Sequence, residues 1–97
     1  MALLLTFMNR GFSAEKYDTA VKKLEEAGAG APKGRLYHVC YGDTDNVLVT
    51  DVWDNMENFN EFGKTLVPIL KELGVELVEP NVQPVHNIKE AMADTFA

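Results

Sequence analysis

The chain has 97 residues, 46% of them hydrophobic and 25% charged, with a formal net charge of -6 and a single cysteine, Cys40. That length builds one hydrophobic core and no second, and the composition is too apolar for a disordered chain and too interrupted for a membrane span. The acidic balance repels a phosphate backbone, which excludes nucleic acid as a partner, and one thiol closes no internal disulfide, so the expected compartment is the cytoplasm.

The opening MALLLTFM lacks the basic start and small-residue cleavage site of a signal peptide and reads as part of the fold. Leu3 to Met8 has strand length and apolar residues on both faces, the pattern of a central strand, and Gly11 bounds it. Ser13 then stands as the N-cap of a helix. Its apolar stripe is Tyr17, Ala20, Val21, Leu24 and Ala27, and Gly28 stops it. Ser13 to Lys16 also fits the S-x-x-K nucleophile motif, but the companion S-D-N and K-T-G are absent. The stretch GAGAPKG over 28–34 has the wrong glycine spacing for a phosphate loop and follows a helix instead of leading into one. A cap and a turn are the readings kept.

Leu36, His38 and Cys40 alternate with Tyr37, Val39 and Tyr41, GDTDN makes a polar turn, and Val47 to Trp53 alternates again, which predicts a hairpin. Asp54 or Asn55 caps a second helix, with Met56, Phe59, Phe62, Leu66, Ile69, Leu70 and Leu73 on its buried side. Pro68 removes a backbone donor there, so a kink or two short helices meeting near Lys64 to Leu66 is expected, and Gly74 ends the helix. A last strand is predicted at Val75 to Val78. It leads through Pro80 and Pro84 to Val85 and His86, and so many prolines place the segment at a sheet edge or on another subunit. The domain spans residues 1–88, and the tail over 89–97 has room for a short helix with frayed ends.

This order predicts an α+β fold, a ferredoxin-like split βαβ unit (βαββαβ) with a four-stranded antiparallel sheet and both helices on one face. The opposite face is also apolar, and a homodimer packed sheet to sheet would cover it.

The same residues carry a resemblance. Tyr17 in the first helix, Pro32 and Gly34 before the hairpin, His38 in the second strand, Asp51 and Trp53 at the end of the third, Phe59 and Phe62 on the helix after it, and Pro68 before Gly74 resemble the dimeric α/β-barrel superfamily. The likeness is greatest to its small proteins similar to antibiotic-biosynthesis monooxygenases. It implies a homodimer whose sheets close a barrel, with a ligand cavity between sheet and helices in each protomer. It further implies oxygenation of a polyphenolic substrate without metal or flavin, the substrate carbanion itself reducing oxygen. Trp53 has a counterpart in those pockets; the asparagine that such enzymes commonly carry four residues earlier is Val49 here.

Asp51 and Trp53 share a face of the third strand. If Cys40 faces Val49, His38 faces Asp51 and Leu36 faces Trp53; a slip of one residue sets His38 opposite Thr50 on the other face. In the first register, which we favour, Asp51 fixes the tautomer of His38 and leaves its other nitrogen as a base for an acidic phenol or carbon. The candidate catalytic residues are therefore His38 and Asp51, and the candidate substrate-binding residues are Trp53, Tyr17, Phe59 and Phe62, walling a flat, small hydrophobic or aromatic ligand. Each has a plainer role: core packing for the aromatics, a hydrogen-bonded interface histidine, an aspartate that caps or receives Arg35. His86 is expected in solvent or at the dimer seam, and Cys40 as an inert thiol. No cofactor is expected. A metal site from His38, His86 and a carboxylate is disfavoured because no single element presents two ligands.

Two functions follow. One is a cofactor-independent monooxygenase-like enzyme acting on a small aromatic or polyketide-like molecule; the other is a binding or stress-responsive module that holds such a ligand without turnover. A haem-binding or haem-degrading relative is a third, with only two histidines to serve the iron.

Overall fold

Alternating apolar residues form strands and the striped segments form helices, in the order β1 (Leu3–Phe7), α1 (Ala14–Glu26), β2 (Arg35–Asp43), β3 (Asn46–Trp53), α2 (Met56–Glu72) and β4 (Asn81–Pro84). The structure is a computed structural model and describes residues 1–89; the short helix predicted for the tail over 89–97 falls, from residue 90 on, outside the described residues. Ser13 caps α1, its Oγ accepting the Lys16 N–H at 3.1 Å, and Asn55 caps α2 by accepting from Asn58 at 2.8 Å. These caps satisfy donors that the first helical turn leaves without partners.

The strands form one antiparallel sheet in the order β2-β3-β1-β4, so β1 is central, as its two apolar faces predicted, and the ferredoxin-like order is complete. His38 pairs with Asp51 and Cys40 with Val49, the first of the two registers considered. The predicted pairing of Leu36 with Trp53 is replaced by Arg35 with Trp53. A β-bulge between Arg35 and Tyr37 takes Leu36 out of the ladder. Just before it, Gly34 has φ +87, and its carbonyl accepts the Asp54 N–H at 2.9 Å. A side chain at Gly34 would collide with Asp54 and Asn58, its Cβ falling 2.4 Å from Asp54 Oδ1.

Two further expectations are corrected. The helix predicted to kink or split near Lys64 to Leu66 is a single run from Met56 to Glu72 with Pro68 inside it. Proline there frees the carbonyl of Lys64, and because both residues are exposed, water can satisfy it. The last strand is Asn81–Pro84 instead of Val75–Val78. Val75 is tied back to the helix end by its N–H to Leu70, Glu76 makes an isolated bridge with Arg10, and Val78 N–H bonds Asn9 Oδ1 at 3.1 Å, all beyond the end of β1. The ladder of β1 is thus left to residues 81–84, and Val85 N–H extends it to Ala2 at 2.9 Å.

Leu5 and Trp53 are fully buried between sheet and helices with Leu24 and Phe62, and a second cluster of Phe12, Ala20, Val47, Val49, Leu70 and Val75 continues the core. The other face of the sheet carries Leu4, Tyr37, Val39, Tyr41, Leu48 and Val52, of which Tyr37 and Tyr41 are exposed. Among the described residues no helix is long and apolar enough to cross a membrane.

Candidate functional site

The β2–β3 register places His38 and Asp51 on one rung, facing the helices, and α1 brings Tyr17 over them. The result is a chain of side-chain hydrogen bonds. Trp53 Nε1–H donates to Asp51 Oδ2 at 3.2 Å, Asp51 Oδ1 lies 2.5 Å from His38 Nδ1, and His38 Nε2 lies 2.6 Å from the Tyr17 hydroxyl. A carboxylate can only accept, so Nδ1 carries a hydrogen; neutral His38 then accepts the Tyr17 O–H at Nε2. The Tyr17 and His38 rings are 8° from parallel.

Burial pushes the Tyr17 phenol above its ordinary value of 10.0, with the Cys40 thiolate next in effect, then Asp51 and Asp18, while the Arg35 guanidinium pulls it down. Tyr17 is therefore a proton donor at neutral pH. Burial, with Asp18 after it, likewise raises the Cys40 thiol above 9.0.

Tyr17, His38 and Asp51 line a cavity of about 500 Å³ between the sheet and the helices. Its walls are largely apolar: Phe7, Phe12 and Val49 from the sheet side, Leu24 and Ala20 from α1, and Phe59, Phe62, Leu66 and Leu70 from α2. That volume is in the range of pockets that hold a small organic ligand, and a few polar groups within an apolar wall are what fix a ligand's orientation.

The six residues singled out from sequence thus lie in one neighbourhood, in two layers. His38, Asp51, Tyr17, Phe59 and Phe62 line the cavity. Trp53 is 0% exposed and sits behind it, its ring 5.5 Å from Phe59 and 5.4 Å from Phe62, with its N–H spent on Asp51. Two features were not read from sequence. The Tyr17–His38 bond joins residues 21 positions apart, and neither periodicity nor spacing marks it. Arg35 also lines the cavity, its guanidinium carbon 5.8 Å from the centre of the Phe62 ring, because the bulge turns it there. His86 is exposed, follows the edge strand β4 on the side of the sheet away from β2, and does not line the cavity. Among the described residues no three His, Cys, Asp or Glu side chains converge as metal ligands.

No protein-family model matches the sequence, and no curated protein matches it. Solved structures do match. SnoaB, a cofactor-independent oxygenase of Streptomyces nogalater, superposes with a TM-score of 0.59 at 12% identity, over 90% of this chain and 93% of that one. A candidate antibiotic biosynthesis monooxygenase of Deinococcus radiodurans gives 0.59 at 17% identity over 96% and 100%, and another of Chloroflexus aurantiacus gives 0.55 at 21% over 91% and 95%. At such identities the likeness speaks for backbone architecture. The chain therefore has the ferredoxin-like fold shared by the antibiotic-biosynthesis-monooxygenase-like proteins, over nearly its whole length.

Proposed function

We propose that the protein is a cofactor-independent monooxygenase acting on a small, readily deprotonated aromatic or polyketide-like molecule. One observation carries the reading: the hydrogen-bonded Tyr17–His38–Asp51 chain lines an otherwise apolar cavity. An acidic C–H or O–H of the ligand passes its proton to the Tyr17 oxygen as Tyr17 passes its own to His38 Nε2. The imidazolium so formed lies against the Asp51 carboxylate, which stabilises it. The substrate carbanion gives its electrons to dioxygen and a peroxide forms at that carbon. The peroxide takes the proton back and loses water, leaving a carbonyl. One oxygen atom stays on carbon and the other leaves as water, so no outside reductant enters. Phe59 and Phe62 hold the flat ligand, and Trp53 supports them and Asp51 from behind.

The active form in this reading is a cytoplasmic homodimer, joined through the face bearing Tyr37, Val39, Tyr41 and Leu48, an apolar surface that a lone protomer leaves partly open. A binding module without turnover is the second reading; both ring nitrogens of His38 are already engaged, which suits a structural role.

Oxygen uptake with an anthrone as probe separates the two. The enzyme reading expects uptake that falls about 10²-fold or more in His38→Ala and Tyr17→Phe, with anthrone affinity held within a few-fold. Uptake unchanged in His38→Ala would remove it from the mechanism, and saturable quenching of Trp53 fluorescence without any uptake would leave the binding module.

A further inference from the structure

In a regular strand, residues three apart point to opposite faces. Arg35 and His38 are three apart, yet both face the helices, because the bulge at Leu36 adds one residue between the Arg35–Trp53 and His38–Asp51 pairings. The cavity thereby receives a guanidinium one step along the sheet from the imidazole.

Among the described residues that guanidinium has no counter-charge. Among the described residues the ion pairs are Lys23–Glu72, His38–Asp51 and Lys64–Glu61, and Arg35 belongs to none. Its polar partner is a neutral one, the Gly30 carbonyl at 3.3 Å, and its guanidinium carbon lies over the Phe62 ring. The other charged groups on the cavity wall are committed: Asp51 to His38 and Trp53, and Lys64 to Glu61 while remaining largely in solvent. In a chain of net charge -6, the one uncompensated charge on this apolar wall is a cation.

We propose that Arg35 anchors a carboxylate on the aromatic ligand, so that the substrates are aromatic carboxylates. The inference rests on the cavity being a site for aromatic ligands, as argued above. A guanidinium fork matches a carboxylate in two parallel hydrogen bonds, and Phe62 beneath it keeps the fork oriented. The rungs of Arg35 and His38 are about 7 Å apart along β3, so an anchored carboxylate sets the reacting carbon at the opposite end of a fused bicyclic ring. The same positive charge favours the anion formed when that carbon loses its proton.

Calorimetric titration of the full chain with 2-naphthoate and its neutral analogue 2-naphthamide tests this. The native protein is expected to bind naphthoate at least ten-fold more tightly than naphthamide at low salt. Arg35→Gln should lose that preference while its affinity for naphthamide changes less than three-fold, Arg35→Lys should keep part of it, and Lys64→Gln should keep all of it. Equal affinities in the native protein, a preference that survives Arg35→Gln, or one that vanishes in Lys64→Gln overturns the anchor. Naphthamide binding without a carboxylate preference overturns the anchor alone. Failure of both probes to bind strikes the aromatic cavity itself.

Discussion

Trp53 and Asp51 lie two residues apart on β3, and the indole of one holds the carboxylate of the other: Nε1–H donates to Oδ2 at 3.2 Å while Oδ1 stays free for His38 at 2.5 Å. Asp51 is buried, so both oxygens need partners, and the fold supplies one for each. Asp51→Asn keeps the shape but offers an amide N–H₂ where Nδ1–H points, or else denies Trp53 its acceptor. In the first orientation the imidazole is driven to the other tautomer, with its hydrogen toward Tyr17. Oxygen uptake should fall about 10² to 10⁴-fold, and urea unfolding should show a loss of about 1–3 kcal/mol from the mismatched buried group. Trp53→Phe should cost a similar amount of stability yet keep uptake within ten-fold. Loss of uptake in Trp53→Phe equal to that in Asp51→Asn would show that the indole does more than steady the carboxylate.

Stability should decline in alkali in a defined window. Burial, and then neighbouring charge, raises the Tyr17 phenol above 10.0 and the Cys40 thiol above 9.0. The unfolded chain therefore releases these protons at lower pH than the native one. Their stabilising contribution is complete below the unfolded values and disappears as pH climbs through the folded ones. Melting temperatures between pH 7 and 11 should fall from about pH 9 onward, with Cys40→Ala flattening the first part of the decline and Tyr17→Phe the later part. An equally steep decline in both variants would assign the effect to other groups.

Gly63 offers a way to close the cavity without damaging the fold. It lies inside α2 on the cavity wall, and a Cβ added there meets nothing within 4 Å. Gly63→Ala should stabilise the protein by up to about 1 kcal/mol through helix propensity alone. Gly63→Leu should fold as well and weaken binding of an anthrone ten-fold or more. Full affinity in Gly63→Leu, measured by Trp53 fluorescence, would place the ligand elsewhere.

Much of the architecture was legible because its determinants are local. Ser13 announces α1, the stripe from Tyr17 to Leu24 gives its buried face, and the alternation on either side of GDTDN gives the hairpin together with the register that joins His38 to Asp51. What stayed hidden depends on partners distant in the chain. The bulge at Leu36 is set where β2 pairs with β3, and no residue type marks it, so the sequence offers Arg35 only as a partner for Asp51 and not as part of the cavity wall. The fourth strand was misplaced because Val75 to Val78 has the stronger β composition, whereas hydrogen bonds to Asn9, Arg10 and Leu70 hold that segment beside the sheet and leave Asn81–Pro84 to pair. Pro68 suggested a break, but Lys64 and Pro68 both lie on the exposed side of the helix, where water can satisfy the freed carbonyl and nothing enforces one. For Trp53 the sequence offers both a pocket wall and core packing; that it is fully buried behind the wall, with its N–H committed to Asp51, follows only from the assembled core.

Gly34, just before β2, latches the start of the hairpin to the turn that leads into the helix bearing Phe59 and Phe62. Its carbonyl is fastened to Asp54, and the missing side chain lets Asp54 and Asn58 close over it. Any larger residue there would pry β2 and α2 apart and widen the gap between Arg35 and Phe62. The breadth of molecules admitted is thus governed from a position that touches none of them, and a search for variants with a wider appetite would begin at Gly34.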